Sequence, residues 1–94
     1  MILEHVVLPV VVGRESEFLE AFAVARPIIE ASPGFVDLSL HRAIERPNEF
    51  LMLVRWESLE AHTVGFRGSP AYARWRELLH HFYEPFPEVA HFEG

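Results

Sequence analysis

Two histidines are the side chains of this chain best suited to acid–base chemistry. Leu59, His62 and Phe66 recur at spacings of three and four and so share one face of a short helix. An imidazole held among apolar neighbours in a dry pocket can act as a general base near neutral pH, since its unperturbed pKa is about 6.5. The competing reading is a core histidine bonded to a backbone carbonyl or to a strand carboxylate. His5 alternates with Leu3 and Val7 on a β-rich segment. It is either a pocket residue, as base or substrate-orienting donor, or a histidine buried between two sheets. Tyr72, Trp75, Leu79 and Phe82 follow one another at spacings of three, four and three, a single helical stripe. Together with Phe66 they form either plain core or the lining of a site for a flat aromatic ligand.

Other chemistries lack their residues. His80 and His81 are adjacent and point about 100° apart on a helix, so they read as a solvated helix end rather than a metal pair. There is no cysteine, no HxxxH pair, no glycine-rich dinucleotide fingerprint and no P-loop, so neither a metal nor an organic cofactor is expected. Asp37, Ser39 and His41 share a strand face and read as a solvated strip or a pocket wall. Arg42 and Arg55 read as cross-strand partners of nearby acids, or as a grip on an acidic substrate. The formal net charge is −6 and all eight basic residues are scattered arginines, which argues against nucleic acid as a partner. No basic region precedes the first apolar stretch, and no apolar run reaches the ~18 residues of a membrane span. A cytoplasmic location is the expectation.

The elements that must position these side chains are few. Ninety-four residues make one domain, 1–94. Residues 2–12 read as a strand that is apolar on both alternate sets, with Pro9 marking a bulge or edge. A helix is expected over 15–31, its face formed by Phe18, Phe22, Ala25 and Ile29, with Pro27 kinking it or ending its regular part. Strands follow at 35–44 and 49–56, joined by the turn Glu45-Arg46-Pro47-Asn48 into a hairpin. A short helix over 59–66 precedes a second one that starts at Ser69-Pro70, where serine caps and proline takes the first turn, and runs to about Phe82. Residues 86–92 form a last strand or arm. The order is βαββαβ, an α+β ferredoxin-like fold with an antiparallel sheet. Helices cover one face of such a sheet. The other face here is apolar too, so a second copy of the chain is expected against it, in a homodimer.

The residues that carry this pattern also resemble a known family. Met1-Ile-Leu-Glu-His-Val, Ser32-Pro-Gly-Phe35, Phe50-Leu-Met-Leu-Val-Arg-Trp-Glu57 and above all the segment from Ser58 to Trp75 resemble antibiotic biosynthesis monooxygenases. These belong to the dimeric α+β barrel proteins. The resemblance implies a homodimeric barrel with a pocket between sheet and helices in each subunit. It also implies cofactor-independent oxygenation of a small phenolic or quinol-type aromatic, with His62 or His5 as base and Phe66, Tyr72 and Trp75 as lining. The haem-degrading branch has an Asn on the first strand, a Trp near the end of the short helix and a His on the next helix. Those places hold His5, Phe66 and Arg76 or a neighbour, which speaks against haem degradation. A non-catalytic module binding a small hydrophobic ligand, and an isomerase of the same superfamily, are the rival readings.

Overall fold

The computed structural model describes residues 1–94. Four strands, β1 (Ile2–Pro9), β2 (Phe35–Arg42), β3 (Glu49–Trp56) and β4 (Val89–Glu93), form one antiparallel sheet in the order β2-β3-β1-β4. Helices α1 (Glu15–Glu30) and α2 (Pro70–Leu79) complete the βαββαβ order. A π-helical segment, Ala61–Phe66, precedes α2 and a 3-10 turn, His80–Phe82, follows it.

Helix α1 buries Phe18, Phe22, Ala25 and Ile29, the stripe that the 3.6-residue repeat sets against the sheet. It runs on through Pro27 to Glu30, rather than losing its regular form there. Pro27 is exposed, so its ring points to solvent, and the buried Ile29 beyond it holds the last turn in place. Helix α2 starts where the sequence places it. Ser69 caps it by accepting a hydrogen bond from Tyr72 N at 3.3 Å, and Pro70 occupies the first turn.

On β1, Glu4, Val6 and Leu8 are buried beneath the helices, as is Val10 just beyond its end. Leu3, His5 and Val7 alternate onto the other face, which no element of the chain covers. There Val7 is 43% and Phe92 52% exposed. The strand ends at Pro9, and Val10 makes only an isolated bridge to Tyr83, as a residue without an N–H to donate to the ladder predicts. Likewise β4 starts at Val89, three residues later than expected. The segment 86–88 is spent on lining a cavity instead. Asp37, Ser39 and His41 face outward on the uncovered side or are only half-buried. Arg55 lies 3.7 Å from Asp37 and Arg42 bonds the Pro47 carbonyl. Both arginines therefore have partners within the hairpin.

Candidate active site

A cavity of about 570 Å³ lies between the helix-facing side of the sheet and α2. It is within the range of small-molecule sites. Its apolar wall includes Val6, Leu8, Ile29, Met52, Phe66 and Trp75. Its polar groups are Glu4, His62, Arg67, Tyr72, His80, Tyr83 and Glu88.

Strand pairing assembles the polar end. Glu4 on β1 stands opposite Val54 of β3 and His91 of β4, so it shares a face with both neighbours. Trp56, also on the helix-covered face of β3, donates its indole N–H to Glu4 Oε1 at 2.9 Å. The π-helical segment then lowers His62 onto this pair. The His62 ring stacks on Trp56 with centroids 5.2 Å apart. Its Nε2 is 3.4 Å from Glu4 Oε1, and its Nδ1 is 2.8 Å from His91 Nε2. Trp56, Glu4, His62 and His91 thus form one continuous chain of polar contacts, with His91 half-buried at its outer end.

Burial sets the charge states. Desolvation pushes the His62 pKa down to about 3, helped by the nearby Arg67 and His91, so at neutral pH the imidazole is uncharged. Desolvation raises the Glu4 carboxyl, against the opposing pull of the Trp56 hydrogen bond and Arg67. The same two influences, burial and Arg67, lower His91. At the far end, burial lowers His80, and burial with Tyr72 beside it raises Tyr83. No buried polar side-chain atom lacks a partner. The Tyr72 and Tyr83 hydroxyls and Glu4 Oε2 bond to nothing within the chain, so they open onto the cavity that all three residues line.

The state of His62 leads to a testable pH effect. Between pH 6.5 and about 3 an unfolded histidine binds a proton that the folded His62 does not, so stability falls as pH falls through this window. The raised Glu4 acts in the opposite sense just above its unfolded value of 4.5, where the folded form holds the extra proton. Between pH 7 and 5 the histidine dominates, with His80 and His91 adding to it. Urea midpoints of the wild type are expected to fall over this interval, and those of His62→Phe to fall less. Parallel lines for the two proteins would show that His62 is not held neutral by folding.

The expected site residues fall into three groups. His62, Phe66, Tyr72 and Trp75 come together around the cavity. Leu79 and Phe82 are buried in the core behind it, at 0% and 3% exposure, and do not line it. His5 does not share the cavity. The alternation of β1 turns it to the uncovered face, where its ring meets Phe92 edge-on at 5.7 Å. The first-strand residue that faces the helices is Glu4. His80, expected in solvent, is half-buried in the cavity wall, while His81 is exposed. Glu4, Trp56 and His91 are the members that inspection of single segments misses. Only Glu4 leaves a local sign, an acid among the alternating Ile2, Val6, Leu8 and Val10.

Comparison with known proteins gives a consistent picture. The family model described as antibiotic biosynthesis monooxygenase matches residues 1–78. The chain is 47% identical over 93 residues to the uncharacterised protein YczJ of Bacillus subtilis (strain 168), covering 99% of this chain and 98% of that one. A crystal structure from Bordetella bronchiseptica that carries the same family designation superposes with a TM-score of 0.93 at 34% identity, covering 99% of this chain and 95% of the other. The cofactor-independent oxygenase SnoaB from Streptomyces nogalater shares the fold, with a TM-score of 0.79 at 23% identity over 99% of this chain and 92% of its own.

Proposed function

The chain belongs to the antibiotic biosynthesis monooxygenase family, and from that premise we propose that it oxygenates a small phenolic or quinol-type aromatic in the cavity beside His62, without a metal or organic cofactor. The observation that carries this reading is the contact chain from Glu4 through His62 to His91, set in the wall of a largely apolar cavity. SnoaB, which shares the fold, is a cofactor-independent oxygenase.

The chemistry needs a phenolate, because the anion is electron-rich enough to reduce O2 directly. In the tautomer with His62 Nδ1–H donating to His91 Nε2, the Nε2 lone pair is free to take the phenol proton. The imidazolium so formed lies 3.4 Å from Glu4. His91, hydrogen-bonded to its Nδ1 and only half-buried, helps to carry the added charge. A base as weak as His62 accepts the proton only because the phenolate left behind stays beside it, in a cavity where opposite charges attract strongly. The phenolate gives one electron to O2, and the radical pair closes to a carbon–oxygen bond on the ring. The peroxide anion takes back the proton held on His62, its O–O bond breaks as the hydrogen on the same ring carbon leaves, and water departs to leave a ring carbonyl. One oxygen atom enters the product, the other leaves as water, and all electrons come from the substrate. Exclusion of bulk water protects the intermediates.

Oxygen uptake by the purified protein with a panel of phenols and hydroquinones tests the reading. Stoichiometric uptake with quinone formation is expected. Turnover of substrate under anaerobic conditions would replace it with proton-transfer chemistry, and saturable binding with no turnover would replace it with a ligand-binding module.

The proposal includes a homodimer. The uncovered sheet face carries Leu3, Val7, Leu51, Leu53 and Phe92, an apolar patch that a second copy would bury. Sedimentation equilibrium is expected to show a dimer in the wild type and a monomer in Leu53→Asp, which sets a charge in the middle of that face. A wild-type monomer at micromolar concentration would remove the dimer from the proposal.

A further inference from the structure

We propose that Arg67 reads a carboxylate on the substrate, so that the cavity takes hydroxyaryl carboxylic acids in preference to neutral phenols. This deepens the functional reading above and rests on the same cavity.

Arg67 is the only arginine in the cavity wall. It is also without a partner. Arg14, Arg26, Arg46 and Arg55 each pair with a carboxylate, and Arg42 is bonded to the Pro47 carbonyl. Arg74 and Arg76 lie on exposed positions of α2 and do not line the cavity, although Arg76 is close enough to act on His80. The guanidinium of Arg67 makes neither an ion pair nor a hydrogen bond, although it lies close enough to act on Glu4, His62 and His91. A cation in the cavity wall with no ion pair or hydrogen bond of its own is a group that a ligand can complete.

The backbone holds it in that place. Arg67 N donates to the His62 carbonyl at 3.1 Å, an i→i+5 bond that closes the π-type winding. Such a turn brings residue 67 back beside residue 62, so the free cation and the neutral imidazole adjoin along one wall. Short π-type turns occur often at functional sites. The next bond, Gly68 N to the Val64 carbonyl at 3.0 Å, fixes the chain beyond it.

The ligand chemistry follows from what is present. The planar guanidinium matches a carboxylate with two parallel N–H donors. Arg67 is exposed, so a carboxylate there keeps part of its hydration and avoids the cost of full burial. The aryl ring then enters against Phe66 and Trp75, and a ring hydroxyl reaches inward to His62. Glu88 also lines the cavity, exposed and unpaired with Arg67. Its charge disfavours a second anionic group, which limits the ligand to one carboxylate.

Two probes of the same ring system test this: 6-hydroxy-2-naphthoate and 2-naphthol, each titrated against the wild type, Arg67→Gln and Arg67→Lys by quenching of tryptophan emission. The wild type is expected to bind the acid about tenfold or more tighter than the naphthol, the worth of one charge-assisted hydrogen bond. Arg67→Gln is expected to bring the ratio to about one by weakening the acid alone, and Arg67→Lys to keep part of it. A wild-type ratio near one, equal weakening of both probes by Arg67→Gln, or no saturable quenching by either probe would overturn the proposal. The ratio is read without oxygen. Selective binding of the acid with no oxygen uptake would leave the role of Arg67 standing and remove the oxygenase.

Discussion

Replacing His62 by glutamine is expected to lower oxygen uptake with a phenolic substrate by about 10²- to 10⁴-fold, the usual contribution of a positioned general base. Glutamine is chosen because it can still bond His91 Nε2 while having no basic nitrogen. The loss should lie in kcat more than in KM, since the apolar walls that bind the ring are untouched. Part of it should return when the substrate is supplied as a more acidic phenol, which is already ionised at the assay pH and needs no base. Glu4→Gln tests the next link. It leaves a group able to accept the Trp56 indole hydrogen bond, but removes the carboxylate that faces the imidazolium at 3.4 Å. If the two residues act as one proton-handling unit, the double variant is little worse than His62→Gln alone, as expected for groups in a shared network. Additive losses would mean that Glu4 acts on the site by another route. Full activity in folded His62→Gln, with unchanged dependence on phenol acidity, would end the general-base reading.

How much of this is legible in the sequence differs from residue to residue. The buried face of α1 is readable because a helix covered on one side repeats its apolar residues at a fixed period, and Phe18, Phe22, Ala25 and Ile29 obey it. His62 and Phe66 are readable as inward for the same reason, although the winding that places them is of π type rather than α. The first strand is harder. Both of its alternate sets are apolar, so periodicity cannot say which set the helices cover, and His5 and Glu4 exchange places on that point alone. Strand pairing decides it, and pairing is a long-range property. His91 sits on a short strand, 29 residues from His62 in sequence, and nothing in Val89 to Glu93 announces a partner. Arg67 is one of eight scattered arginines. What sets it apart is a place in the cavity wall without an ion pair or hydrogen bond of its own, and that is visible only when every other side chain has been placed.

Gly34→Ala is expected to destabilise the protein by about 2–5 kcal/mol, a large share of the roughly 5–15 kcal/mol that holds a domain folded. Two causes add. Gly34 has φ +86°, a conformation that costs an L-residue about 1–2 kcal/mol. A Cβ there would also lie 2.5 Å from the Ala61 Cβ, and overpacking of this kind costs about 1–3 kcal/mol. Gly13 separates the two. Its φ is +94° but nothing lies within 4 Å of the place a methyl would take, so Gly13→Ala should show the backbone cost alone. The excess of Gly34→Ala over Gly13→Ala then measures the contact with Ala61, and Ala61→Gly in the Gly34→Ala background should recover that excess and leave the backbone part. The contact bears on the proposed function because Ala61 opens the π-type segment that carries His62 and, at its end, Arg67. Gly34 follows α1 immediately before β2, and its carbonyl accepts from Glu57 N at 2.8 Å, so it cannot retreat. The segment must move instead, lifting His62 off Trp56 and away from Glu4. The folded fraction of Gly34→Ala is therefore expected to lose activity beyond its loss of stability, whereas Gly13→Ala, measured well below its melting point, keeps wild-type activity. Equal destabilisation by the two substitutions, or full activity in folded Gly34→Ala, would show that the close approach of residues 34 and 61 does not set the height of His62.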